Sequence, residues 1–381
     1  MMITTTKELK SVCARFTKHP FMTVDTEFVR EKTYYPQVCL IQIASPEGAF
    51  CIDPLAQGLS LEPLFKLFAN KDVIKVFHAC RQDIEIFYHL SGQIPIPVFD
   101  TQVGAMVCGY GDNVSYSQLV HDFVGVSLDK TMRVTDWAQR PLSDEQIQYA
   151  LHDVTELRAV YTKMMAKICE SNRLDWLSEE MLHLTLPETY QTDATKVWQR
   201  IKVPFKNPQI LHVFARLCAW REQYAQTKNR PRKHILKDEA LIELAVAHPK
   251  ETASLDHLRT FPDGFSKSDM AAELIRVVQQ ALADDPAVFE QPQVLKPLTV
   301  SERNMSEFLH LVLGAVCDEH NVAPKLVATS DEMNLFIQTQ KALFLTGWRK
   351  QIFGKYALLA MQGQLTLAYS PELGRLTLQT K

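Results

Sequence analysis

Strand-like patterns are concentrated near the beginning of this chain, and that concentration limits the folds the chain can adopt more than any other feature of its sequence. Short apolar runs typical of strands, separated by turn-forming residues, occur at 21–25, 38–43, 49–52 and 73–77. The first three lie close together in sequence, so we expect them to form an antiparallel meander. Helical periodicity follows over 82–90, 101–109 and 115–124. We therefore predict a mixed α/β sheet flanked by helices.

The rest of the chain has a helical pattern that is interrupted twice. A long helix is expected to begin at Ser143, because Ser143 and Gln146 have the spacing of a capping box. The helical pattern breaks over 186–208 and again over 284–297, which contains three prolines. At roughly 100–200 residues per domain, a chain of 381 residues suggests two or three domains.

Charge is distributed unevenly along the chain, although the formal net charge is only −3. Residues 1–190 contain 17 Lys and Arg against 24 Asp and Glu, a net charge of −7. Residues 191–381 contain 24 against 20, a net charge of +4, and 196–237 holds 11 basic residues with one acid, Glu222. This asymmetry favours a metal-binding catalytic domain joined to a domain that binds a polyanion.

Several protein classes are disfavoured by composition. The eight cysteines are scattered and form no Cys-x-x-Cys pair, which argues against a zinc ribbon, a redox motif or a disulfide scaffold. The N-terminus has no apolar run typical of a signal peptide, and no stretch approaches the roughly 18–20 apolar residues of a membrane span. We expect a cytoplasmic protein with no membrane association.

Three separate segments supply acidic side chains with spacings that suggest a shared site. Asp25 and Glu27 lie at positions i and i+2 at the end of a predicted strand, so they point to one face. Asp83 falls in the first turn of the helix after the fourth strand. Tyr149 and Asp153 are four residues apart on the long helix and share a face. Each motif alone is more often an ordinary solvated acid or helix-end charge.

Together the four carboxylates have a chemical use that none has alone. Two like charges on one strand repel, and a cation removes that cost. Mg²⁺ and Mn²⁺ prefer oxygen ligands, and four carboxylates can hold two such ions about 3.5–4 Å apart for phosphoryl displacement. The hydroxyl of Tyr149 is then placed to orient the attacking water.

These motifs resemble those of the ribonuclease D family, part of the DEDD exonuclease superfamily with a ribonuclease H-like fold. DTEFVREKTYYPQVCLIQIA at 25–44 is similar to the first exonuclease motif, FHACRQDIEIF at 77–87 to the second, and YALHDVTEL at 149–157 to the third. The superfamily divides between Tyr-x3-Asp and His-x4-Asp in the third motif. Gln148 occupies the histidine position here, so the resemblance is to the tyrosine branch.

The resemblance implies a 3′→5′ exoribonuclease with two divalent ions, Mg²⁺ or Mn²⁺. By that resemblance Asp25, Glu27, Asp83 and Asp153 are metal ligands, and Tyr149 positions the nucleophilic water. The implied products are nucleoside 5′-monophosphates, and the implied substrates are transfer-RNA precursors and other small structured RNAs. We expect the protein to be a monomer.

The basic second half resembles the HRDC domain, which RecQ-type helicases and ribonuclease D share. WREQYAQTKNRPRKHILKDEALIELA at 220–245 is similar to that domain, and LTGWRKQIFG at 345–354 is a weaker match to a second HRDC-like domain. The resemblance implies an exonuclease domain over 1–190, followed by two all-α domains over 205–287 and 296–381. The aromatics of the basic segment could stack on bases, although Trp220 is expected in a core.

Two other functions stay open on sequence grounds. A DNA exonuclease uses the same carboxylates, although no G-x-x-x-x-G-K-[ST] loop of a helicase is present. A non-catalytic RNA-binding relative would have lost at least one of the acids, and all four are present with the tyrosine.

Some neighbouring residues carry weaker expectations. Thr26 and His78 could touch the terminal nucleotide or be ordinary polar loop residues, and His152 is expected to be solvated or to lie behind the metal ligands. Asp53 is expected to form a turn, and the Tyr34–Pro36 segment to pack on its own domain.

Overall fold

The structure, a computed structural model, describes residues 1–128, 132, 134–284 and 296–380. These residues form two compact units. The first unit comprises 1–28, 38–189 and 296–380, and the second comprises 29–37 and 190–284. Most of the second predicted break, 285–295, lies outside the described residues, and the predicted domain boundaries stay predictions.

A six-stranded mixed sheet forms the centre of the first unit. Its strands are β1 (Met2–Ile3), β2 (Phe21–Val29), β3 (Gln37–Ser45), β4 (Gly48–Ile52), β5 (Ile74–Phe77) and β6 (Val98–Asp100). The spatial order is β1-β4-β3-β2-β5-β6. Strand β3 pairs antiparallel with β4, whereas β2 pairs parallel with β5, and β5 parallel with β6. This arrangement places β2 at the middle of the sheet.

The four predicted strands are present, and the sheet contains two more. Strands β1 and β6 are only two and three residues long, too short for an alternating pattern to be recognised. Strand β2 also continues four residues beyond the predicted end. Asp25 and Glu27 therefore lie within β2, and the expectation that they end the strand is wrong.

Seven helices accompany this sheet. They are α1 (Thr6–Phe16), α2 (Glu62–Phe68), α3 (Arg81–Ser91), α4 (Thr101–Val107), α5 (Tyr116–Val124), α6 (Asp144–Glu170) and α7 (Leu174–His183). The capping box predicted at the start of α6 is confirmed, because the side chains of Ser143 and Gln146 each accept a hydrogen bond from the other's backbone N–H. The apolar face of α6, including Val154 and Leu157, packs into the core.

The second unit is helical. Its helices are α8 (Pro208–Thr227), α9 (Arg232–Ile235), α10 (Asp238–Ala247) and α11 (Asp269–Ala283), with short 3₁₀ turns that include Val197–Arg200. Helix α8 packs against both α10 and α11 around a core that contains Phe214, Leu241 and Leu274. Trp220 packs against this core, as expected, and donates its indole N–H to Glu273 at 3.0 Å.

The 29–37 loop also belongs to the second unit. Tyr34 is buried against Ala225 and Ile235, so the expectation that this aromatic packs on the N-terminal domain is wrong. Its hydroxyl donates to the buried carboxylate of Glu222, which Arg232 also contacts. Burial alone raises the pKa of Glu222, but the hydrogen bonds from Arg232 and Tyr34 outweigh it and lower the pKa below its ordinary value.

The C-terminal part of the first unit begins with helices and ends in a hairpin. Its elements are α12 (Val300–His320), α13 (Pro324–Val327), α14 (Ser330–Thr339), α15 (Gly347–Arg349), a π-helical turn at Lys350–Gly354, α16 (Lys355–Met361), β7 (Leu365–Ser370) and β8 (Arg375–Thr380). The antiparallel β7–β8 hairpin was not predicted, although alternating residues flank a Pro-Glu-Leu-Gly turn there. None of the described helices is long and apolar enough to cross a membrane.

A buried ion pair joins α7 to the C-terminal segment. The guanidinium of Arg349 lies 2.6 Å from the carboxylate of Glu180, and Trp348 donates its indole N–H to the same carboxylate at 3.2 Å. The rings of Trp176 and Trp348 stack beside this pair, with centroids 4.4 Å apart. Because Glu180 and Arg349 are both buried, Glu180 depends on Arg349 for its charge partner, and Glu180 is the nearer of the two carboxylates beside Arg349.

We predict that Glu180→Gln lowers the free energy of unfolding by about 3 kcal/mol, because it leaves a buried guanidinium without its main counter-charge. The neighbouring Glu179, more exposed and 3.4 Å from the same guanidinium, is the matched control. We expect Glu179→Gln to cost less than about 1 kcal/mol. Urea unfolding followed by tryptophan fluorescence measures both, and equal losses would contradict this account.

Candidate active site

Strand β2 presents two carboxylates on one face of the sheet. Asp25 and Glu27 are two residues apart in an extended strand, so their side chains point the same way. Both are partly buried, whereas Thr26 between them is buried on the opposite face. The central position of β2 therefore brings two acids to one location with a rigid backbone.

Helix α6 is held against β2 by hydrogen bonds to its backbone next to Asp153. The hydroxyl of Thr23, buried in β2, donates to the carbonyl of Val154 at 2.7 Å. From α5, the hydroxyl of Tyr116 donates to the carbonyl of Asp153 at 2.8 Å. These bonds fix the position of the α6 turn that carries Asp153, both along the helix axis and around it.

Three predicted site residues meet in this region. Ligand atoms of Asp25, Glu27 and Asp153 all lie within 4.8 Å of one another. Asp25 and Glu27 are 126 or more positions away from Asp153 in the chain, so only the fold brings them together. Oxygen atoms at such mutual distances match the ligand set of a hard divalent cation.

Asp83 stands beside this group of three rather than within it. It lies in the first turn of α3, as predicted, and is buried. The hydroxyl of Thr26 donates to its carboxylate at 2.5 Å, so Thr26 contacts an acid rather than solvent. Asp100 holds the start of α3 by accepting hydrogen bonds from the backbone N–H groups of Ala79 and Cys80, each at 2.9 Å.

Burial and mutual repulsion raise the pKa of these carboxyl groups. For Asp25, burial and the charge of Asp153 raise the pKa well above its ordinary value. For Asp83, burial and the charge of Asp25 do the same. Burial raises the pKa of Asp153 to about 7. A group of acids that resists ionisation in the metal-free protein is one that a cation would stabilise.

Tyr149 lies one helical turn before Asp153 on α6, as predicted. Burial, together with the charges of Asp153, Glu27 and Asp25, raises the pKa of Tyr149 above its ordinary value. The phenol therefore stays protonated at neutral pH, and its proton is a hydrogen-bond donor.

A cleft of about 420 Å³ opens beside the carboxylates. Asp25, Tyr149 and Asp153 line it together with residues that the sequence reasoning missed: Gln102, Ser115, Tyr116 and Ser117. The start of α5 could be predicted from its Ser115 cap, but nothing in the local pattern connects that helix with the acids. The cleft volume lies in the range of about 300–1,000 Å³ that small-molecule sites occupy.

The residues with weaker expectations take several positions. His78 lines the cleft, and its Nδ1 lies 3.0 Å from the hydroxyl of Thr101. His152 is exposed, as expected for a solvated side chain. Asp53 accepts a hydrogen bond from the N–H of Leu55 in a turn and forms a two-point ion pair with Arg140, so its expected turn role is confirmed.

Comparison with known proteins agrees with this geometry. A family model described as "3'-5' exonuclease" matches residues 1–169, and the HRDC domain model matches 211–278. Ribonuclease D of Nitrobacter hamburgensis is 46% identical over 370 residues, which cover 96% of each chain. The chain belongs to the ribonuclease D family. Ribonuclease D of Bartonella henselae is 41% identical and covers 96% of this chain and 90% of its own.

Solved structures extend the comparison to the whole fold. The crystal structure of Escherichia coli RNase D, described as an exoribonuclease involved in structured RNA processing, matches with a TM-score of 0.82 at 26% identity. The match covers 95% of this chain and 98% of that one. The predicted fold class is confirmed, and this member of the ribonuclease D family is a 3′→5′ exoribonuclease.

We predict that Asp153→Asn stabilises the metal-free protein at pH 8. Because the folded pKa of Asp153 is about 7 and the unfolded value is about 4, the stability linked to this group is present at low pH and is lost as pH rises from about 4 through 7. Asparagine does not ionise, so the variant does not lose this stability at pH 8. Its unfolding temperature should therefore rise by about 2–4 °C for each kcal/mol of stability regained.

Thermal unfolding in EDTA at pH 5 and pH 8 tests this prediction. Glu170→Gln, at the exposed end of the same helix, is the control and should change neither curve. Added Mg²⁺ or Mn²⁺ should stabilise wild type at pH 8 and have a much smaller effect on Asp153→Asn. A variant less stable than wild type in EDTA at pH 8, or one stabilised equally by the ions, would contradict the account.

Proposed function

We propose that this ribonuclease D hydrolyses RNA from the 3′ end with two divalent ions, Mg²⁺ or Mn²⁺, and releases nucleoside 5′-monophosphates. The observation that carries the proposal is the meeting of Asp25, Glu27 and Asp153 within 4.8 Å, with Asp83 adjacent. A purely structural role gives no reason to bring three acids together against their own repulsion.

The residues present fit one hard cation, and we propose a second ion beside it. Asp25, Glu27 and Asp153 form one possible ligand set, and Asp25 with Asp83 supplies oxygens for a second ion. The raised pKa values fit as well, since a metal-free cluster of this kind lacks its counter-charge. When bound, two such ions polarise the scissile phosphate and stabilise charge on the attacking and leaving oxygens.

Tyr149 acts in this proposal by orienting water rather than by removing its proton. Its phenol is protonated at neutral pH and lines the cleft, one helical turn from Asp153 on α6. A neutral phenol can hold a water molecule by one hydrogen bond and leave its attacking lone pair directed at phosphorus.

The cleft beside the carboxylates is the proposed site of the 3′-terminal nucleotide. Gln102, Ser115 and Ser117 offer polar groups around a cavity of about 420 Å³. Attack of water on the last internucleotide phosphorus forms one P–O bond and breaks the bond to the 3′ oxygen of the penultimate residue. The products are a nucleoside 5′-monophosphate and an RNA one residue shorter with a free 3′ hydroxyl.

We further propose that the substrates are 3′ extensions of transfer-RNA precursors and other small structured RNAs. The Escherichia coli relative is described as acting in structured RNA processing, and it matches nearly the whole chain. The HRDC model and the basic composition of 196–237 support contact with the body of such an RNA. A DNA exonuclease is the second candidate, because the carboxylates themselves do not select the sugar.

A time course on 3′-extended transfer RNA with Mg²⁺ or Mn²⁺ tests the proposal. We expect wild type to shorten the RNA stepwise and Asp25→Asn or a chelator to abolish shortening, because Asp25 is shared by both proposed ion sites. Asp72→Asn, an exposed carboxylate in a turn, is the matched control and should be fully active. Shortening that persists in Asp25→Asn would contradict the mechanism. Faster digestion of single-stranded DNA than of RNA would favour the second candidate, a DNA exonuclease.

Tyr149→Phe tests the role of the phenol separately. We expect kcat to fall by about 10²-fold with little change in the Mg²⁺ concentration needed for half-maximal activity, because the carboxylates remain. Tyr116→Phe removes another hydroxyl from the same cleft, but that hydroxyl donates to the α6 backbone. Tyr116→Phe should therefore lower the free energy of unfolding and have a smaller effect on kcat than Tyr149→Phe. A larger loss of kcat in Tyr116→Phe than in Tyr149→Phe would contradict the assignment.

A further inference from the structure

A second cavity with strongly basic walls lies entirely within the second unit. It encloses about 460 Å³, and we call it the arginine pocket. Its walls come from the 29–37 loop, the turn at Val197–Arg200, the middle of α8 and the start of α9. Its charged lining consists of Arg30, Arg200, Arg221, Arg232, Lys233 and Asp238. Five cationic side chains against one acid is an unusual balance for a cavity wall.

Part of this positive charge is already neutralised. Arg232 pairs with the buried carboxylate of Glu222, and Arg221 lies 2.7 Å from Asp238. Arg200 and Lys233 are exposed and form no ion pair within the part of the chain that the structure describes. These two cations therefore give the pocket excess positive charge in the folded protein.

Arg221 distinguishes this pocket from an ordinary solvated basic face. Its side chain is only 5% exposed, yet it lines the cavity. One terminal nitrogen donates to the carbonyl of Leu236 at 2.8 Å and the other faces Asp238, but Nε has no hydrogen-bond partner among the described residues. A buried guanidinium N–H without a partner costs about 1–3 kcal/mol, so the fold keeps this arginine at the pocket wall at a cost in stability.

The chemistry of the walls selects a phosphate group. Guanidinium groups bind phosphate oxygens through paired hydrogen bonds, and a lysine ammonium adds a point charge. The aromatic ring at the pocket, Tyr34, is buried and covered by the Arg232 guanidinium at 5.2 Å, so its face is not available for stacking on a base. Such a pocket binds phosphate groups and does not distinguish one base from another.

We propose that the arginine pocket is a phosphate-binding site separate from the carboxylate cleft, occupied by an RNA backbone phosphate or by the phosphate of a free nucleotide. The RNA source rests on the proposed function, whereas the nucleotide source does not. Arg200 and Lys233 contact the phosphate from the exposed side, and the guanidinium of Arg221 adds positive charge at the buried wall of the pocket.

The double variant Arg200→Gln/Lys233→Gln tests the site, with Lys250→Gln as the control because Lys250 is exposed in the same unit and lies outside the pocket. Binding of a short fluorescent single-stranded RNA is measured in EDTA, where hydrolysis is absent, between about 50 and 200 mM salt. We expect binding to weaken roughly tenfold near 0.1 M salt. The slope of log K against log salt should become shallower by about 0.7, because one phosphate is no longer neutralised.

A second arm distinguishes the sources of the phosphate. Calorimetric titration with adenosine 5′-monophosphate and with pyrophosphate shows whether small phosphates bind wild type more tightly than the double variant. A defect with RNA alone assigns the pocket to the RNA backbone, and a defect with the small phosphates assigns it to free nucleotides. If the double variant matches Lys250→Gln with every probe, the assignment of a phosphate site is wrong.

The substituted residues are exposed, so the double variant should fold, and circular dichroism verifies this. These measurements do not depend on catalysis. If RNA binds the pocket but is not shortened when Mg²⁺ is added, the proposed function is contradicted, whereas the proposal of a phosphate site still stands.

Discussion

Repulsion between buried carboxylates is the constraint on which the active-site architecture of this protein depends. Asp25, Glu27 and Asp153 meet within 4.8 Å, and burial raises the pKa values of Asp25 and Asp153. Such a cluster opposes folding in the absence of a counter-ion, so the surrounding backbone must hold it in place. The middle strand of the sheet and the longest helix provide that support, through hydrogen bonds from Thr23 and Tyr116 to carbonyls of α6.

These supporting hydrogen bonds explain why the site uses strand and helix positions rather than loops. A carboxylate on a loop could move away from its neighbour and relieve the repulsion. Asp25 on β2 cannot, because β3 and β5 pair on either side of its strand. Asp83 is fixed by the hydroxyl of Thr26 and by the helix start that Asp100 holds. The result is a site ordered before any ion arrives, which lowers the reorganisation needed on binding.

Much of this site could be predicted from sequence because its geometry is local in each segment. Strand alternation placed Asp25 and Glu27 on one face, and helix spacing placed Tyr149 above Asp153. The capping box located the start of α6. What could not be predicted depends on interactions between distant segments, such as Tyr116 with Asp153 and Tyr34 with Glu222. Strands β1 and β6 were missed because pairing, rather than any pattern of their own, defines such short strands.

The loop at 29–37 is held in place by contacts within the second unit. The 29–37 loop begins where β2 ends and leads into β3, so both ends of this loop are continuous with the middle of the sheet. Its aromatic side chain is buried against α8 and α9, and Asn229 accepts hydrogen bonds from the backbone N–H groups of Tyr34 and Tyr35. Freezing a loop removes conformational freedom at its ends as well as at its centre. These contacts, all within the second unit, therefore order the loop that follows the strand carrying Asp25 and Glu27.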